Sequence, residues 1–179
     1  MLYNSNEMEQ KGLLATAAKM CVAARTAPKA KGVDYILTLV LTGEEKDLLV
    51  EKMETISKRL GEAQGGPWFH RDASNVQNSD ALLLVGAKKS FRGVSPCSLC
   101  GFENCGACQK AGGVCGHLLL DLGIALSSAA AAAAQDKVDT RMMWSVGKAA
   151  EEMHYTEEDA CWVGIPLSVS GKNIFFDRK

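Results

Sequence analysis

The chain carries no excess charge of either sign. Twenty Lys and Arg stand against 21 Asp and Glu, a formal net charge of −1 over 179 residues. A protein that lives on nucleic acid ordinarily shows a clear basic surplus, so that class is set aside. The N-terminal "MLYNSNEMEQK" has neither a basic n-region nor an apolar h-region, so no secretory leader is expected there. The longest apolar stretch, Leu118 to Ala134, is broken by Asp121 and ends in alanines. It is short for a membrane span and reads as a buried helix. No GxGxxG or other glycine-rich phosphate loop occurs, and no Ser/His/Asp constellation stands out. The adjacent carboxylates Glu44/Glu45, Glu151/Glu152 and Glu157/Glu158 fall at helix starts or on exposed faces, where the helix dipole and solubility explain them. These readings point to a cytoplasmic protein with neither a nucleic-acid nor a membrane partner.

What the chain does have is cysteine. Five of its seven cysteines lie in "SPCSLCGFENCGACQKAGGVCGH", Ser95 to His117. In the cytoplasm stable disulfides are rare, and an odd total suits a disulfide framework poorly, so metal ligands or redox groups are expected. The spacing is Cys97-x2-Cys100-x4-Cys105-x2-Cys108-x6-Cys115. Thiolates are soft ligands that select zinc or iron–sulfur clusters. A structural zinc site usually spreads its two C-x2-C knuckles over a linker of roughly 15–20 residues; here only four residues separate the pairs, which crowds a single tetrahedral ion. Cys100-x4-Cys105-x2-Cys108 also matches a plant-type 2Fe–2S spacing, while the bacterial C-x2-C-x2-C run is absent. Cys21 and Cys161 sit in apolar elements and read as core residues. His117 borders the cysteines but begins a helix, so a structural role is expected; His70 and His154 read as surface residues.

Around that segment the pattern is mixed. Asn6 and Glu9 have capping-box spacing ahead of a helix with Leu13, Leu14, Ala17, Met20, Cys21 and Ala24 in helical period, ending before Pro28. Val33–Leu41 reads as a strand buried on both faces. Thr42 and Glu45 suggest a second capping box for a helix that stops at Gly61. Residues 62–80 read as irregular. Asp80–Ala87 is a buried strand, and 117–137 one long helix whose six-alanine run lets another backbone approach. "RMMWSVG" reads as strand and "KAAEEM" as helix. "ACWVGIPL" and "NIFF" read as strands joined through Ser170-Gly171.

Two resemblances follow from quoted strings. "CSLCGFENC" has the form C-x2-C-G-x3-C and resembles small 4Fe–4S domains with a fourth cysteine downstream. That resemblance implies Cys97, Cys100 and Cys105 as ligands, with Cys115 preferred over Cys108 as the fourth. "AARTAPKAKGVDYILTLVL", "LLLDLGIALSSAAAAAA" and "RMMWSVGKAAEEM…ACWVGIPL" resemble the flavin-dependent nitroreductases. The whole chain is similar to a group of uncharacterised prokaryotic proteins joining a nitroreductase-like fold to a ferredoxin-type cysteine insert. The resemblance implies an α+β fold: one domain over residues 1–179, its sheet flanked by helices, with a cysteine-rich insert at 93–117. It also implies a homodimer with FMN between subunits, the phosphate held near Arg25, Lys29, Lys31 and Arg178. The family's R-R-S-like triplet is replaced here by "NSNEMEQKG", and the loop Asn is replaced in "PKAKG".

The expected function is an iron–sulfur redox protein with one 4Fe–4S cluster, served by a ferredoxin-like donor and acting in electron transfer or as a flavin-containing reductase. The alternative is a dimeric binding module whose cysteine segment holds a structural or sensing metal such as zinc. A weaker third reading is a Cys105-x2-Cys108 thiol switch.

Overall fold

A computed structural model describes residues 1–176. The first helix, α1 (Ser5–Thr26), is opened by Asn4. Its side chain accepts from the Glu7 amide at 2.9 Å while the Glu7 carboxylate accepts from the Asn4 amide at 3.1 Å. The capping box therefore lies two residues earlier than Asn6/Glu9. At the other end Lys29 donates to the carbonyls of Ala24 (3.0 Å), Ala27 (2.8 Å) and Arg25, capping the last turn of α1.

A single 3-10 turn (Ala30–Gly32) leads into β1 (Ile36–Leu41). Helix α2 (Gly43–Leu60) follows, starting after Thr42, whose side chain makes no capping bond, so the second capping box does not form. Gly61, at φ 63°, ends α2 as expected. The stretch read as irregular contains α3 (Gly66–Gln77), with Pro67 in its first turn and Phe69, Ala73 and Val76 on its buried face. Strand β2 (Ala81–Lys88) is buried along almost its whole length. The cysteine segment carries one short helix, α4 (Cys105–Lys110), and passes into α5 (Gly116–Gln135). The two-residue strand β3 (Asp139–Thr140), helix α6 (Trp144–Met153) and β4 (Ala160–Ser168) complete the fold.

The four strands form one sheet in the order β1-β2-β4-β3, antiparallel at every pairing. Alternation along β2 sends Leu83, Val85 and Ala87 to one face, against α1 and α5, and Leu82 and Leu84 to the other, against α2, α3 and α6. Burying each such leucine is worth about 1.5–3 kcal/mol, so this central strand anchors both halves of the core. Strand β1 is an edge strand with Val40 exposed, not a strand buried on both faces. "RMMWSVG" is mostly the start of α6; only Met143 bridges to the sheet, at Gly164. "NIFF" forms no strand; Phe175 plugs the α2/α3/α6 side of the core, and Arg141 donates to its carbonyl at 2.7 Å.

Glycine sets how closely α6 lies on the sheet. A Cβ on Gly147 would stand 1.7 Å from the Trp162 carbonyl oxygen, and one on Gly164 2.2 Å from Val146. Helix α5 is long and apolar enough by length and composition to cross a bilayer. In this fold Leu118, Leu122, Ala125, Ala129 and Ala133 pack instead into the core beside α1 and β2. Its other face exposes Leu119, Leu120 and Ile124.

Candidate metal centre

The cysteine segment runs from the end of β2 to the start of α5. The glycine of C-x2-C-G is what turns it. Gly101 sits at φ 81°, its amide donates to the Ser98 carbonyl at 2.9 Å, and that tight turn brings Cys100 back beside Cys97. Asn104 then accepts from the Ala107 amide at 2.9 Å and starts α4, which makes Cys105 the first residue of that helix. Cys115 occupies the N-cap position of α5. Close packing joins the two ends: a Cβ on Gly116 would stand 2.9 Å from the Leu99 side chain and 3.2 Å from its backbone.

The result is a cavity of about 330 Å³ bounded by Phe91, Pro96, Phe102 and four cysteines: Cys97, Cys100, Cys105 and Cys115. Cys97 is exposed, Cys100 and Cys105 are half-buried, and Cys115 is buried. Cys108 is not on the cavity wall. It is fully buried behind it, with its thiol toward the Val114 carbonyl at 3.7 Å and in contact with Cys100. Gly113 makes room for it, since a Cβ there would meet Cys108 Sγ at 2.8 Å.

Backbone amides face the sulfurs. The Leu99 amide donates to Cys97 Sγ at 3.5 Å. Amide bonds from Phe102 above all, and also from Gly116, hold the Cys100 thiol below its ordinary pKa. Burial, followed by its contact with Cys100, pushes Cys108 up to about 11. Of the neighbouring pair, the Cys100 thiol on the wall is thus drawn toward thiolate and the Cys108 thiol behind it toward the protonated form. Thiolate donors, amide hydrogen bonds to sulfur and the positive N-terminal end of α5 are a donor set suited to an anionic iron–sulfur cluster. Among the described residues no three His, Cys, Asp or Glu side chains converge on one ion-sized point; the sulfurs are spread around the cavity wall.

The residues expected near a flavin phosphate are dispersed among structural partners. Arg25 donates to Asp34 (2.5 Å) and to the Ile36 carbonyl (2.7 Å). Lys29 caps α1, with its ammonium 3.9 Å from Asp34. Lys31 reaches the Arg92 carbonyl at 3.3 Å. Arg178 lies outside the described residues. Arg25, Lys29 and the 3-10 turn do share one neighbourhood, around Asp34. Cys21 and Cys161 are half-buried against the α1/α5 side of the core, and burial raises the Cys161 pKa. His117 lies in the first turn of α5, the exposed His70 bonds the half-buried Glu54, and His154 ends α6.

Sequence reasoning missed Arg92. It is buried at the base of the cysteine segment and pairs with Asp121 of α5. The signal was Asp121 itself, since a lone carboxylate inside an apolar helix needs a buried partner.

Three comparisons bear on this geometry. The family described as "Uncharacterized protein containing a ferredoxin domain" matches residues 111–178, a span that includes Cys115 and omits the other four cysteines of the segment. An uncharacterized protein of Archaeoglobus fulgidus is 39% identical over 187 residues, covering 99% of this chain and 98% of its own. Among solved structures, a BluB-like flavoprotein from Clostridium difficile 630 is similar with a TM-score of 0.60 at 17% identity, over 92% of this chain and 84% of that one. A nitroreductase family protein from Clostridium novyi NT gives 0.59 at 14% identity, over 99% and 79%. An FMN-dependent nitroreductase from C. difficile R20291 gives 0.55 at 15%, over 92% and 78%. At these identities the structural likeness establishes the fold alone. The chain belongs to the family of uncharacterised proteins containing a ferredoxin domain, and its fold is nitroreductase-like.

Proposed function

We propose that this protein is an iron–sulfur redox protein holding one 4Fe–4S cluster on Cys97, Cys100, Cys105 and Cys115. The observation that carries the reading is the cavity that these four cysteines line and Cys108 does not. The ferredoxin-domain description of the family supports a redox role. A cluster bound there supplies one-electron chemistry; the chain's own residues hold, insulate and expose it. Amides of Leu99, Phe102 and Gly116 stabilise negative charge on sulfur, which tunes potential. Phe91 and Phe102 exclude water from one side, while exposed Cys97 and Leu99 leave the other open to a donor protein of ferredoxin type.

The nitroreductase-like fold supports a second element of the proposal, a homodimer that pairs the exposed apolar face of α5 and seats FMN between subunits. The C. difficile R20291 structure is of an FMN-dependent nitroreductase. Arg25, half-exposed beside Asp34, is the cation we propose for the flavin phosphate, since the Lys29 side chain is buried and committed to the α1 carbonyls.

The test is anaerobic purification with iron, sulfide, zinc and FMN assayed on one sample. Four irons and four sulfides per chain are expected, with a broad shoulder near roughly 400 nm. Cys97→Ser, Cys100→Ser, Cys105→Ser and Cys115→Ser should each lose the iron, and Cys108→Ser should keep it. One zinc per chain without sulfide would overturn the reading and make the segment a structural clip.

A further inference from the structure

We propose that the cleft between α2, α3 and α6 binds a neutral, planar heteroaromatic ring with a donor and an acceptor side by side on one edge. The cleft has a volume of about 360 Å³, within the range of small-ligand sites. It faces away from the cysteine cavity, on the opposite layer of the sheet, and nothing in the proposed redox role uses it.

Its floor is aromatic. Trp68 and Trp144 stack with ring centroids 5.6 Å apart and planes 21° from parallel. Phe69 meets Trp144 edge-on at 6.3 Å. The stack is too tight to admit a third ring between the indoles, so a ligand ring lies on an open indole face. Both indoles are left 44% and 49% exposed, while Phe69 and Ile56 beneath them are buried. Two adjacent half-exposed tryptophans on a chain that has three are a large apolar surface kept in water, and surfaces of that kind ordinarily serve binding.

The rim sets the charge of the ligand. Arg59 is paired with Glu152 (2.5 Å), and Lys148 with Glu151 (2.9 Å). The Lys148 ammonium also stands 5.4 Å from the Trp144 centroid. Both cations are neutralised within the rim, so an anionic ligand would have to break an ion pair to enter. Gln64 is the uncommitted polar group: its amide makes no side-chain hydrogen bond among the described residues. A carboxamide offers one donor and one acceptor side by side, the complement of the edge of adenine, nicotinamide or uracil.

The experiment titrates the full-length protein with adenosine, nicotinamide and uracil, read by tryptophan fluorescence and calorimetry, with adenosine monophosphate as the charged control. At least one neutral probe should saturate below about 100 μM. Trp144→Leu should weaken that probe about tenfold or more, and Gln64→Ala about fivefold. Gln64 is on an exposed turn, so its loss leaves folding intact and keeps the test sound if Trp144→Leu misfolds. No saturation by any probe below about 1 mM, or binding unchanged in both variants, overturns the proposal. So does a control nucleotide that binds at least tenfold tighter than adenosine.

Discussion

Arg92 and Asp121 form a buried ion pair, with Nη2 and Nε of the arginine 2.5 and 3.1 Å from the same carboxylate oxygen. The other oxygen of Asp121 accepts from the Ala30 amide at 2.9 Å. One carboxylate therefore ties together the end of β2, the first turns of α5 and the turn after α1. Arg92 also stands over the Tyr35 ring at 4.4 Å.

Removing one partner of a buried pair leaves an uncompensated charge, which costs about 3–5 kcal/mol. Arg92→Leu should lower stability by about that amount in urea unfolding. Adding Asp121→Asn should recover part of the loss, because the amide oxygen still accepts from Ala30. A double variant no more stable than Arg92→Leu would show that the pair is not what the site depends on.

Gly116 links the cysteine-lined cavity to the helix behind it. An added methyl there has to displace Leu99, the residue before Cys100. Gly116→Ala should lower iron per chain at least twofold while leaving the thermal midpoint of the metal-free protein within about 2 °C. Iron content equal to wild type would place the loop's freedom elsewhere.

The contact of α6 with β4 permits no side chain at Gly147. Gly147→Ala forces backbone apart and should destabilise the protein by about 3 kcal/mol, at the upper end of ordinary overpacking. Gly123→Ala on α5, where a Cβ meets nothing, should be neutral or slightly stabilising. Equal midpoints for the two variants in denaturant melts would contradict this packing.

Acid stability should depend on Asp136. Hydrogen bonds from Lys19 (2.8 and 3.0 Å) and Thr16 (2.8 Å) hold its carboxyl below the ordinary aspartate value. A depressed folded pKa means its contribution is present above the unfolded value, about 3.9, and is lost as pH falls through the folded one. Asp136→Asn should therefore flatten stability against pH below about 4 and change little between about pH 6 and 8. An unchanged acid limb would mean that other carboxylates carry it.

The sequence was informative where pattern and environment agreed. Leu13, Ala17, Met20 and Ala24 repeat with helical period, and all four are buried in α1. The run "ALLLVGA" is apolar throughout because β2 has cores on both faces. The turn that gathers the proposed ligand cysteines was legible because C-x2-C-G needs its glycine at positive φ. The misreadings have physical causes. Asn4/Glu7 and Asn6/Glu9 have the same spacing, and only packing chooses between them. The apolar content of β1 looks central, yet among the described residues no strand pairs on its outer side. Helix α3 was hidden by Gly65, Gly66 and Pro67, which begin it here rather than extend a loop. With α3 unseen, Trp68 had no visible reason to meet Trp144.

The cysteine loop proper begins after Arg92, runs over residues 93–115, and contributes no strand to the sheet. Shortening it to a plain connection would leave every strand neighbour and every register unchanged. The proposed metal centre is in this sense an appendix to the architecture. Changes of spacing confined to that loop leave the sheet and the Arg92–Asp121 pair beneath it in place.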